Sequence, residues 1–159
     1  KIFSQIIPKV LIGIKQEYLK NLMIVQQTRK EDKTILESTY NKLNVKCTVK
    51  EFFDDVQNEI YNSDIVIARC GASTLAEIEY CKKFSLLFPL PTAMDDHQLE
   101  NAKQFKKEND CQIYNQNNIP YSKLRELLKS QLFYKNETKT NLQESKKISL
   151  IKFIDDIIQ

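Results

Sequence analysis

Glycine is scarce in this chain of 159 residues, with only two present, and there is a single histidine. The apolar residues fall in short separated clusters, far from the ~20 consecutive positions that cross a bilayer, so no spanning segment is expected. The opening stretch KIFSQIIPKVLIGIKQEYLK lacks the arrangement of a signal peptide, so export is not expected either. No long run of one charge occurs: 24 basic and 21 acidic residues are interspersed, for a net charge of +3. That pattern describes a solvated surface, and nucleic acid is not an expected partner. The four cysteines, Cys47, Cys70, Cys81 and Cys111, form no C-x-x-C pair and have one histidine to join them. No metal or other cofactor is expected, and the thiols read as free in a reducing cytoplasm.

What is present suits one domain over residues 1–159, since this length with 42% apolar residues can bury a single sizeable core. In the first twenty residues Ile2, Phe3, Ile6, Ile7, Val10, Leu11 and Ile14 gather on one helical face, and Pro8 is expected to kink that helix or mark its start. A strand over 21–28 and a helix with the stripe Ile35, Leu36, Tyr40 and Leu43 follow. Next come a strand over 45–53, a short helix over 54–61 and a compact apolar strand, DIVIAR, over 64–69. Helices at 74–82 and 97–108 then alternate with strands at 84–90 and 111–116, and helices are expected from about 120 onward. This alternation predicts an α/β fold, a Rossmann-like doubly wound parallel sheet covered on both faces. The chain opens on a helix where such a unit normally opens on a strand, so the first strand is expected to be missing and the chain to be cut. The polar stretch over 135–149 reads as a loop or exposed helix, and the closing LIKFIDDII as a final packed helix.

Ligands of open parallel sheets bind at the carboxyl ends of the strands, beside helix N-termini that favour anions. Three loops fall there: Phe52 to Asp55, Arg69 to Thr74, and Leu90 to Gln98. Gly71 in the second would permit a positive φ or a close approach of backbone to ligand. The hydroxyls of Ser73 and Thr74 could meet phosphate oxygens, yet Thr74-x-x-Glu77 has equally the spacing of a capping box. Asp95 with Gln98 has the same ambiguity, and His97 reads more readily as a structural residue than as a catalytic base. Asp54 and Asp55 most simply cap the following short helix.

In combination, EFFDD (51–55), SDIVIARCGASTLAE (63–77) and FPLPTAMDDHQLENA (88–102) resemble the C-terminal domain of MurG-type N-acetylglucosaminyltransferases, which have the two-domain GT-B architecture. The resemblance covers nearly the whole chain and weakens after about residue 117. It implies a domain that binds UDP-N-acetylglucosamine for an inverting transfer to the lipid-linked muramyl-pentapeptide of peptidoglycan. By this resemblance Phe53 presents its backbone to the uracil, and Ala72, Ser73 and Thr74 line the diphosphate, with Gly71 beside them in the substrate-binding turn. Glu77 holds the ribose hydroxyls, which shifts the balance from capping toward ligand contact, and His97 and Gln98 meet the sugar. Arg69 matches an arginine at the strand end, with its role open between loop scaffold and phosphate neighbour. Cys70 departs from the usual Ala or Ser.

The family's glycine-rich G-G-S-Q-G loop, its acceptor-binding N-terminal domain and the catalytic base expected there lie outside this sequence, so no catalytic residue is assigned. The implied partners are UDP-N-acetylglucosamine, an N-terminal acceptor-binding domain or subunit and, through it, the lipid-linked acceptor. The implied location is cytoplasmic, with the full enzyme peripheral on the cytoplasmic face of the inner membrane. Two other readings stand beside this one. The catalytic subunit of the dolichol-linked N-acetylglucosaminyltransferase resembles the same domain, although P-L-P-T-A-M-D-D-H-Q looks closer to the bacterial form. A non-catalytic nucleotide-sugar-binding or partner-docking domain is the other.

Overall fold

The structure, a computed structural model, describes residues 2–91, 96–134 and 148–151. The opening apolar stripe folds into α1 (Ile2–Leu11), followed by the short α2 (Gln16–Leu19). Pro8 does not mark the start of α1 but sits inside it, and the chain turns after the helix at Gly13, whose φ is +96°. Glycine adopts that backbone without the strain a Cβ would add.

The alternation read from the sequence continues in order. Strand β1 (Leu22–Gln27) leads to α3 (Lys30–Lys42) and β2 (Lys46–Lys50), then α4 (Val56–Tyr61) and β3 (Ile65–Ala68). Helix α5 (Ala72–Tyr80), β4 (Phe84–Leu87), α6 (Asp96–Phe105), β5 (Cys111–Ile113) and α7 (Tyr121–Lys129) follow, with a π-helical turn over Ser130–Tyr134. In α3 the expected stripe is narrower than read. Leu36 and Tyr40 are buried, but Ile35 is 68% exposed, because adjacent residues on a helix point about 100° apart.

Among the described residues the sheet has six strands in the order β2-β1-β6-β3-β4-β5, where β6 is Ile148–Ile151, and each recorded pairing is parallel. The end of the chain therefore departs from expectation. Residues 148–151 form a strand, not the loop and helix read from their polarity, and they lie between β1 and β3. The short apolar run ISLI can serve as either element, and a slot flanked by two parallel strands selects the extended one. The remainder of LIKFIDDII lies outside the described residues.

The sheet is buried on both faces, which is why β3 reads IVIA without a polar residue. Ile65 and Ile67 join α1, α3 and α7 in one core with Phe3, Ile7, Leu36, Leu124 and Leu128. Val66 and Ala68 point the other way, into a second core with Ile60 of α4, Leu75 and Ile78 of α5 and Ala102 of α6. Helices on opposite faces on either side of the β1/β3 reversal make the sheet doubly wound. Because the strands are parallel, the loops after β2, β3, β4 and β5 share one edge. That edge carries the candidate site.

Candidate functional site

The turn from β3 into α5 is its centre. Gly71 is the residue before the helix, with φ −65° and ψ 143°, so the positive φ that glycine would permit is not used. Leu75 N–H donates to the Gly71 carbonyl at 3.0 Å, the first bond of the helix. The N–H groups of Ala72, Ser73 and Thr74 thus lie in the first turn, where no helical carbonyl precedes them and the helix dipole favours an anion. Ala72 and Ser73 are exposed there.

This start, two residues earlier than read from the sequence, overturns the capping-box reading. Thr74 is the third residue of the helix and only 2% exposed, so it cannot be the residue that caps it. Glu77 is half-buried one turn further on. Its Oε2 is shielded from solvent with no hydrogen-bond partner among the described residues. A buried carboxylate oxygen without a donor costs free energy, on the order of 1–3 kcal/mol or more for a charged group. An acceptor left open in this way suits a hydroxyl-bearing ligand.

The neighbouring strand ends are bound to this turn by two side chains. Arg69 is 4% exposed, and its Nη1 donates to the carbonyls of Phe88 at 2.9 Å and Pro89 at 3.4 Å. Its guanidinium carbon lies 5.2 Å from the centre of the Phe3 ring, a cation–π contact. Arg69 is therefore a scaffold of the β3 and β4 loops. Gln98 of α6 is also buried, and its Oε1 accepts from Cys70 N–H at 3.2 Å and from Leu90 N–H at 3.3 Å. Its acceptor end is committed to the two loops. His97 beside it is exposed. Asp95 lies outside the described residues, as does most of the loop before α6.

On the other flank, the loop after β2 holds Phe53 with its ring buried against Val25, Met23 and Val56. Lys50 Nζ lies 5.4 Å over that ring. A side chain spent on the core leaves backbone as the part of Phe53 that can face a ligand. Asp55 Oδ1 accepts from Asn58 N–H at 2.9 Å and so caps α4, as its spacing suggests.

The sequence reading missed Asn101, whose Nδ2 donates to the Cys70 carbonyl at 3.2 Å. The signal was available in Gln98-x-x-Asn101, two amides one turn apart on the same helix face. All four cysteines are free thiols, and burial pushes those of Cys47, Cys81 and Cys111 above their usual pKa. Among the described residues no cluster of metal-ligating side chains occurs.

Comparison with known proteins gives the family. The profile of the glycosyltransferase family 28 C-terminal domain matches residues 1–159. The UDP-N-acetylglucosamine--N-acetylmuramyl-(pentapeptide) pyrophosphoryl-undecaprenol N-acetylglucosamine transferase of Rickettsia bellii is 36% identical over 152 residues, covering 92% of this chain and 42% of the relative. The Agrobacterium fabrum protein of the same name is 36% identical over 130 residues, 82% of this chain and 34% of that one. The chain thus spans less than half the length of these relatives. Among solved structures, Acinetobacter baumannii MurG superposes with a TM-score of 0.68 at 23% identity, over 82% of this chain and 36% of its own, which supports the fold.

Proposed function

Because the chain belongs to the glycosyltransferase family 28 C-terminal domain, we propose that it is the domain that binds UDP-N-acetylglucosamine in a transferase of peptidoglycan synthesis. The observation that carries this reading is the unpartnered, buried Oε2 of Glu77 beside the open first turn of α5. Ribose hydroxyls would donate to that oxygen, and a diphosphate would lie against the N–H groups of Ala72, Ser73 and Thr74. The uracil would meet the backbone at Phe53, and the sugar would meet His97 and the amide of Gln98.

In the reaction, an acceptor hydroxyl attacks the anomeric carbon, the bond from that carbon to the diphosphate oxygen breaks with inversion, and UDP leaves. This chain's share is to stabilise the charge that grows on the leaving diphosphate, using N–H groups already aimed at it. The base that removes the hydroxyl proton and the surface that holds the lipid-linked acceptor belong to an N-terminal domain or subunit. The whole enzyme would then lie on the cytoplasmic face of the inner membrane. Among the described residues no helix is long and apolar enough to cross a membrane.

Calorimetric titration with UDP-N-acetylglucosamine and with UDP tests the site. Saturable binding of both is expected, weakened in Glu77→Ala, with Gln98→Ala weakening the sugar nucleotide at least as much as UDP. A folded chain that binds neither ligand, or variants that bind like the parent, would overturn the reading. Mixing the chain with an N-terminal half and measuring transfer separates a donor domain from a module that only binds.

A further inference from the structure

Two side chains on α6 hold the main chain of one residue of the donor turn, Cys70, from both sides. Gln98 accepts the N–H of Cys70, and Asn101 donates to its carbonyl, each at 3.2 Å. Cys70 itself is fully buried. Its carbonyl is the last before Gly71, the residue that opens α5, and a carbonyl there has two possible fates. Turned along the helix axis, it would meet the Thr74 N–H four residues on, lengthen the helix and use up one donor of the first turn. Turned toward α6, as it is here, it leaves the first helical bond to Gly71 and Leu75.

We infer that Asn101 is a positioning residue, which holds the Cys70 carbonyl off the axis of α5 and thereby keeps the Thr74 N–H in the set presented to a diphosphate. The inference rests on reading the α5 entrance as a diphosphate site. Asn101 itself touches protein backbone and acts on the ligand only through that peptide. Its partner Gln98 fixes the preceding peptide through the Cys70 N–H and also reaches Leu90, so the α5 entrance and the loop after β4 are set together by one face of α6.

The test compares the full chain with Asn101→Ala and with Asn101→Leu, which keeps the side-chain volume and removes the donor. In the free protein, the Cys70 carbonyl carbon and Gly71 amide nitrogen resonances should move in both variants, while those of β1 and β2 stay in place. UDP affinity should fall about three- to tenfold, the worth of one modest hydrogen bond. Uridine, which lacks phosphate, should bind as it does to the parent. A merely structural role would weaken uridine and UDP together, and that result, or unchanged UDP affinity in both variants, overturns the inference. If the parent binds no UDP, the donor-site reading fails by itself. The positioning role falls with it, and the resonances then show only whether Asn101 holds the peptide.

Discussion

Arg69 reaches from the end of β3 to the carbonyl of Phe88 at the end of β4, at 2.9 Å, while its guanidinium lies over the Phe3 ring of α1. Phe3 and Phe88 in turn meet edge to face, with ring centres 5.6 Å apart. One buried cation thus joins two strands and a helix behind the turn from β3 into α5. Removing it in Arg69→Ala leaves the Phe88 carbonyl without this donor and the Phe3 ring without its cation. Urea unfolding should show a loss of about 2–4 kcal/mol, from unpaired buried groups and lost packing. Were Arg69 chiefly a phosphate ligand, stability would hold and only nucleotide affinity would fall.

Phe53 offers the opposite test, of a residue assigned to the site whose side chain belongs to the core. The ring is 3% exposed and packs on Val25. Phe53→Leu should cost under about 1.5 kcal/mol and leave UDP affinity near that of the parent. Phe53→Ala should cost about 3–5 kcal/mol by opening a cavity. Paired melting and titration curves for the two variants decide whether backbone or ring carries the contact.

The sequence made the succession of elements legible because each strand is a compact apolar run and each helix a stripe of its own period. β3 and α5 were placed within two residues. What it could not show were choices made by tertiary contact. Thr74 and Glu77 have capping-box spacing, and only the position of Gly71, fixed by the strand before it, moves Thr74 inside the helix. ISLI is too short for its period to distinguish strand from helix, and its neighbours β1 and β3 decide. Asn101 carries no motif of its own. Its partner is a main-chain carbonyl thirty-one positions away, which no local pattern encodes.

Gly13 marks another such choice, a turn after α1 with a left-handed backbone. A Cβ at Gly13 would stand 3.2 Å from Arg125 Cζ, and φ there is +96°. Arg125 is not free to yield, because its Nε donates to the Val10 carbonyl at 3.1 Å and so ties α7 to the end of α1. Gly13→Ala should therefore destabilise the chain by about 1–3 kcal/mol, the range for strain at such a backbone position. Pro8→Ala should be mild or stabilising, because it restores an N–H and relieves ring crowding inside α1. Thermal melting of the two variants should rank them in that order.

Tyr40 gives the fold an alkaline limit. Its side chain is fully buried and its hydroxyl donates to Gln26 Oε1. Burial, aided by the neighbouring Cys47, raises its pKa well above the ordinary value of 10.0. Below pH 10 the phenol is protonated in both folded and unfolded chains, so it adds no slope. Above it the unfolded chain loses the proton and the folded chain keeps it, so stability falls as pH rises, by up to about 1.4 kcal/mol per unit. Urea midpoints between pH 9 and pH 11 should show this decline in the parent and a shallower one in Tyr40→Phe. At neutral pH Tyr40→Phe should cost about 1–3 kcal/mol, since it strands the buried Gln26 amide, whose Nε2 has no hydrogen-bond partner among the described residues.

Glu77 should behave in the reverse sense, trading stability for binding. Its Oε2 is buried without a donor, so the folded chain bears a desolvation cost that a ligand hydroxyl would relieve. Glu77→Gln has nearly the same shape and no charge. It should melt at the parent's temperature or slightly above it, with a stability gain of up to about 1 kcal/mol. Its affinity for UDP should fall about tenfold, because hydrogen bonds to a charged acceptor are roughly twice as strong as neutral ones. The affinity loss should shrink sharply for a 2′,3′-dideoxyribose analogue of UDP, which has no hydroxyls to donate. Equal losses for both nucleotides would place Glu77 away from the ribose, and a fall in melting temperature would assign it to holding the helix.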